Sequence, residues 1–245
     1  MSYSVIRSGD RAETTTEWLT SRHGFSFGDH YDPANTHHGV LLVHNDEIVL
    51  PGQGFDAHPH RETEIVTWVT SGSLVHQDSA GHSGVVYPGL AQAMSAGTGV
   101  EHSERNDTWP HRDSAGAEPA HYVQMWLLPD EHGRTPSYDQ HDIAADLTPG
   151  RLVAVASGDP TLDSAIRIAN RSATLHAARL RRGQAVIVPT ARFLHLFVTA
   201  GSVRFADTEL TVGDTLRGSD LGGEPVTAVR DAEILMWAMA TTLGE

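Results

Sequence analysis

Two stretches decide the fold: GQGFDAHPHRETE, Gly52 to Glu64, and its counterpart GVEHSERN, Gly99 to Asn106. Each carries a pair of metal-ligating residue types spaced i, i+2: His58 with His60, and His102 with Glu104. Side chains alternate faces along a β-strand, so residues two apart point the same way. If the two strands face each other across a barrel, three imidazoles and one carboxylate converge on one point. That donor set suits a divalent transition metal. Glycines at 52, 54, 97 and 99 permit the tight turns that bring strand ends to one mouth.

Working outward, the chain reads as strands broken by glycine and proline. GVLLVHNDEIV (Gly39 to Val49) breaks at PGQG, and EIVTWVTSGSLVHQDS around Ser71-Gly72-Ser73 reads as a hairpin. GHSGVVYPG marks a turn between short strands, and HYVQMWLLP is a further buried strand. Helical periodicity is weak, and Ala12 to Arg22 reads as a short helical turn or a loop. Pro129 to Gly150 is polar and proline-marked, a linker or covering loop. RLVAVASG, ATLHAARLRRGQAVIVP, FLHLFVTAGSVRFADTELTVGDTL and AEILMWAM then repeat the strand–glycine–strand rhythm. FVTAGSVRF echoes WVTSGSLVH, a weak internal repeat that suggests two similar barrels. The second holds only His176 and His195, neither with a partner two residues away.

Composition narrows the chemistry. The 245 residues contain no cysteine, so thiolate ligands and disulfides are excluded, and no lysine, so lysine Schiff-base chemistry is excluded too. The net charge is −14. Residues 1–150 hold 21 acids against 7 Arg, residues 151–245 hold 10 of each, and 14 of the 16 His lie at or before His141. Neither half offers the basic surface that nucleic-acid binding needs. No apolar run approaches the roughly 20 residues of a membrane span, and no signal-peptide core is evident at the start, so a cytoplasmic location is expected.

HGFSFGDHYDP (His23 to Pro33), the run from His44 to Val69, HQDSAGHSG (His76 to Gly84) and MSAGTGVEHSERN (Met94 to Asn106) resemble segments of the pirin family of the cupin superfamily, in the same order. The likeness covers about the first 140 residues densely and is nearest to bacterial pirin-like quercetin 2,3-dioxygenases. Trp68 stands where a tyrosine is commoner. The resemblance implies an all-β bicupin: two jelly-roll-like β-barrels packed face to face. Its expected division is a metal-binding domain over 1–138, a linker over 139–150, and a second barrel over 151–245 that lacks ligands. It implies that His58, His60, His102 and Glu104 hold one divalent metal. Iron(II) is the expected metal, with manganese, cobalt, nickel, copper or zinc also compatible. Glu64 occupies the place of a ligand in other cupins and is expected to be a strand residue facing the other way or a neighbouring acceptor instead.

The resemblance further implies cleavage of a flavonol such as quercetin with O2 and release of carbon monoxide, with Glu104 doubling as the base for the substrate hydroxyl. Phe55, Met94, Met125 and Trp126 are candidates for the pocket wall, each with plain core as the favoured reading. Arg61 is expected in an ion pair beside the site. His76, His82 and His121 are expected to be ordinary polar histidines or groups near the pocket. His37, His38, His111, His132 and His141 are expected to be solvated. A different reading makes the chain a metal-dependent regulator that acts through a protein partner, as eukaryotic pirins do. A third makes it a zinc isomerase or hydrolase that needs no oxygen.

Overall fold

The computed structural model describes residues 2–110, 112 and 114–244, so His111 lies outside the described residues. Apart from one 3-10 turn at Ser8–Asp10, every regular element is a strand. No helix is long and apolar enough to cross a membrane. A seven-stranded and a four-stranded sheet form the N-terminal barrel, and a nine-stranded sheet forms the C-terminal one.

The strands follow from alternation. In Leu19–His23 every second residue is buried, and the threonine-rich strand Ala12–Thr15 pairs with it antiparallel. The segment Ala12 to Arg22, expected as a helical turn or a loop, is therefore a hairpin. Its β-branched residues favour the pleated surface. The Thr16 hydroxyl closes the turn by accepting from the amides of Trp18 and Leu19.

The expected hairpin at Ser71–Ser73 is instead a corner. Glu64–Ser71 pairs with Leu90–Ser95 and Ala120–Leu127 in the seven-stranded sheet. Leu74–Asp78 pairs with Val100–Arg105 and Ser83–Val86 in the four-stranded sheet. Gly72, at φ 70°, carries the chain from one sheet to the other. A Cβ there would lie 2.6 Å from the Pro119 carbonyl oxygen, so only glycine fits.

The chain does not divide cleanly at residue 138. Ser2–Ile6 pairs with Thr215–Leu221 of the C-terminal sheet. Ser137–Asp142, within the segment expected to be linker or loop, pairs with Leu90–Ser95. Alternation had been hidden there because this edge strand is mostly exposed and polar.

The two barrels share one core. Val66, Trp68, Val123 and Met125 from the first pack with Leu175, Phe197, Leu235 and Trp237 from the second. Trp68, the departure from the commoner tyrosine, donates its indole N–H to Glu233 Oε1 across this interface at 2.9 Å. His38 also reaches across, its Nε2 lying 3.0 Å from the Leu194 carbonyl, so it is not the solvated loop residue expected.

His44 and His195 meet at the same interface, rings 4.6 Å apart. Both are buried, and none of their four ring nitrogens has a hydrogen-bond partner among the described residues. Burial, and then Arg11, pushes His44 down to about 3, against the opposing pull of Asp46. Burial and the neighbouring His44 push His195 well below its ordinary value. An unfolded histidine takes up its proton near pH 6.5. Between that pH and the folded value the unfolded state binds more protons, so stability present above about pH 6.5 is lost as the pH falls. A His44→Leu variant should therefore show a flatter dependence of the urea midpoint on pH between about 4 and 6.5. An unchanged slope would locate the acid sensitivity elsewhere.

Candidate metal centre

The site is built on three neighbouring strands of the four-stranded sheet. Gly54–His60 pairs antiparallel with Val100–Arg105, and Leu74–Asp78 lies on the other side of the latter. His102 sits opposite His58, and Glu104 sits opposite Phe55. That register requires one extra residue in the Gly54–His60 strand, a bulge at Asp56–Ala57. At the bulge the Asp56 carbonyl oxygen lies 2.8 Å from His58 Nδ1. The His58 Nδ1–H thus donates to the main chain, and its Nε2 keeps a lone pair. Gly54, at φ 151°, allows the close approach of the partner strand: a Cβ there would fall 2.4 Å from the Glu104 carbonyl oxygen.

The rings of His58, His60 and His102 converge, with centroids 4.6 to 4.9 Å apart. Their ligand atoms lie within 4.8 Å of one another. Glu104 falls in a second trio of the same tightness, with His76 and His102, so His102 is common to both. The structure thus brings three of the expected ligands into one trio and places the fourth beside it.

The electrostatics favour a cation. Burial, and then His58, pushes His60 down to about 4. Burial, followed by His58, His60 and His76, pushes His102 down to about 2. Both are neutral imidazoles at pH 7, the form that binds metals. His60 Nε2 and His102 Nε2 are buried and have no hydrogen-bond partner among the described residues, so the donor set fits a divalent transition metal. Glu104 is fully buried, and burial drives its carboxyl up to about 7, with the hydrogen bond from Gln124 opposing the rise and Glu47 adding to it. Gln124 Nε2 donates to Glu104 Oε2 at 2.5 Å, and Trp126 Nε1 donates in turn to Gln124 Oε1 at 3.0 Å.

A cavity of about 370 Å³ opens onto His58, His60 and Glu104. Its apolar wall is Leu19, Phe27, Phe55 and Trp126. Phe27 and Trp126 meet edge to face at 5.6 Å. Of the expected wall residues, Phe55 and Trp126 serve. Met94 and Met125 do not: both are buried in hydrophobic clusters, Met125 against Trp237 across the interface.

Other expectations sort by contact. Glu64 is buried away from both trios, accepting from Ser95 Oγ and the Ala169 amide. Arg61 makes no ion pair among the described residues, and its carbonyl accepts from Thr63. His121 pairs with Asp46, and His82 with Asp78. His132 faces Glu62, and His37 and His141 are exposed. Gln124, Glu47 and Phe27 were not anticipated. Gln124 lies on an ordinary strand between Asn45 and Thr67, and only its burial beside Glu104 marks it.

Comparison with known proteins identifies the family. The family model described as Pirin matches residues 6–127. Over 98% of this chain and 96% of the relative, 55% of residues are identical to a Mycobacterium tuberculosis protein named "Putative quercetin 2,3-dioxygenase". The chain belongs to the pirin family. Its pirin relatives include the quercetin 2,3-dioxygenase of Escherichia coli K12, 33% identical over 94% of this chain and 96% of that one. The crystal structure of the bacterial pirin YhhW of Escherichia coli in complex with nickel(II) superposes with a TM-score of 0.87 at 30% identity, covering 98% of this chain and all of that one. The fold of this pirin is accordingly the all-β bicupin.

A metal bound by Glu104 must displace the carboxyl proton, which below about pH 7 is increasingly in place. Nickel(II) affinity of the purified chain should therefore fall as the pH drops below 7, approaching tenfold per unit for one displaced proton. Titration calorimetry on Glu104→Gln should show that component removed. Identical pH profiles in the two proteins would take Glu104 off the metal.

Proposed function

We propose that this pirin is a metal-dependent dioxygenase that cleaves a flavonol-like aromatic with O2 and releases carbon monoxide. His58, His60, His102 and Glu104 hold the metal in this proposal, and Glu104 is also the catalytic base. The observation that carries it is the meeting of three imidazoles with a buried carboxyl beside them, of which His58, His60 and Glu104 open onto a largely apolar, aromatic-walled cavity. The names that its relatives bear support the same reading.

A divalent metal of this donor set, iron(II) by preference, supplies Lewis-acid and redox chemistry to a substrate oxygen and to O2. The protein supplies the rest. A cavity of about 370 Å³ lies within the range of small-molecule sites. Phe27, Phe55 and Trp126 offer flat faces and edges to an aromatic ring system and exclude water. Glu104, at about 7, can take the proton of an acidic enol or phenol and lose it again near neutrality. Gln124 keeps one carboxyl oxygen engaged, which orients the other. In the overall change one ring carbon leaves as carbon monoxide, and the oxygens of O2 are incorporated into the products, a depside in the quercetin case.

The experiment is carbon monoxide release from quercetin under O2. The protein is reconstituted separately with iron(II), manganese(II), cobalt(II), nickel(II) and copper(II). Metal-dependent release is expected from the wild-type chain and none from His102→Ala. Glu104→Gln with metal retained should be slower by about 10² or more, the usual worth of a positioned base. A filled site that releases no carbon monoxide with any of these metals overturns the dioxygenase and favours the regulator that acts through a protein partner.

A further inference from the structure

A third i, i+2 pair lies beside the ligand strands: His76 and Asp78, on Leu74–Asp78. In the ladder Asp78 is opposite His102, and His76 is opposite Glu104. The side chains of His76 and Asp78 are both buried. Tyr138, from the strand in the supposed linker, stacks on the His76 ring at 4.5 Å and 23°. The His76 ring thus has one orientation, with Nε2 3.3 Å from Asp78 Oδ2 and Nδ1 3.4 Å from His102 Nδ1.

We propose that Asp78 and His76 are positioning residues that fix the tautomer of His102, holding the proton on Nδ1 and the lone pair on Nε2. The reasoning starts at the carboxylate. Asp78 accepts from the Ala80 amide at 2.9 Å, the His82 amide at 3.0 Å and His82 Nδ1 at 2.9 Å. An acceptor so used faces His76 Nε2, which therefore carries the proton. Neutral His76 then has its lone pair on Nδ1. The atom facing that lone pair is His102 Nδ1, which must donate. His102 Nε2 is left bare, and it is the buried nitrogen without a partner in the protein.

The opposite assignment fails at both ends. It sets a lone pair of His76 against a carboxylate, and it buries an unpaired N–H on His102. Two of the three imidazoles thus acquire their ligating form differently. His58 uses a main-chain carbonyl freed at a bulge, and His102 uses a second imidazole anchored by a carboxylate.

This inference rests on His102 as a metal ligand, and its test does not depend on turnover. In the metal-free, 15N-labelled protein at neutral pH, long-range 15N–1H correlation reports the tautomer of each histidine ring. His102 should show a protonated Nδ1 and a bare Nε2. In Asp78→Asn the amide oxygen keeps the backbone donors and the NH2 group meets His76 Nε2, which reverses the chain and moves the His102 proton to Nε2. In His76→Phe the preference should vanish, and nickel(II) affinity should fall by about tenfold or more. His76→Asn, with an amide oxygen near the former Nδ1, should restore both. A wild-type His102 protonated on Nε2 overturns the proposal even if no variant folds. So does a tautomer and nickel affinity left unchanged by His76→Phe. Loss of quercetin cleavage with an intact Nδ1–H tautomer would instead count against the dioxygenase.

Discussion

The antiparallel ladder that sets His102 opposite His58 is the constraint on which the site depends. A strand offers one face to a barrel interior, and a slip of one residue would turn every ligand outward. Here the register is pinned by features that cannot slide: Gly54 against the Glu104 main chain, and the bulge at Asp56–Ala57. The bulge also offsets Glu104 by one step relative to its partner strand. The carboxyl is thereby grouped with His102 and His76, while His58 and His60 close the other side.

The environment then separates the roles of the donors. Burial works in opposite directions by charge type: it keeps His60 and His102 neutral and holds the Glu104 proton until near neutrality. Glu47 adds a second buried carboxyl within the same cavity, and its own acidity is weakened chiefly by burial. A cation entering this pocket would meet lone pairs already aimed and a negative charge ready to form. The site resembles a socket whose charge is completed by what it receives.

Much of this was legible in the letters of the chain, and the missing parts have a common cause. HPH and HSE announce themselves because period two is the strand's own period, and the residues are chemically rare in that pattern. The corner at Gly72 was misread because a hairpin and a sheet-to-sheet bend use the same small residues. Only the approach of Pro119, distant in sequence, distinguishes them. The strand Ser137–Asp142 lacks alternation because most of it faces solvent. Gln124 and Asp78 are polar residues whose meaning comes from burial, which a local pattern does not encode. His76 sits at the position where WVTSGSLVH aligns with Phe205 of FVTAGSVRF, and that difference marks the barrel that bears chemistry from the one that packs.

The first strand has a consequence for how the molecule assembles. Ser2–Ile6 lies on the outer edge of the C-terminal sheet, and Arg7 beside it pairs with Asp214, 207 residues further along. Closing a loop of that length costs about 5 kcal/mol of chain entropy before any contact returns it. Both barrels can therefore form most of their hydrogen bonds while this seam is still open. Until it closes, Thr215–Leu221 presents a bare row of amides and carbonyls, the shape that recruits a strand from another molecule.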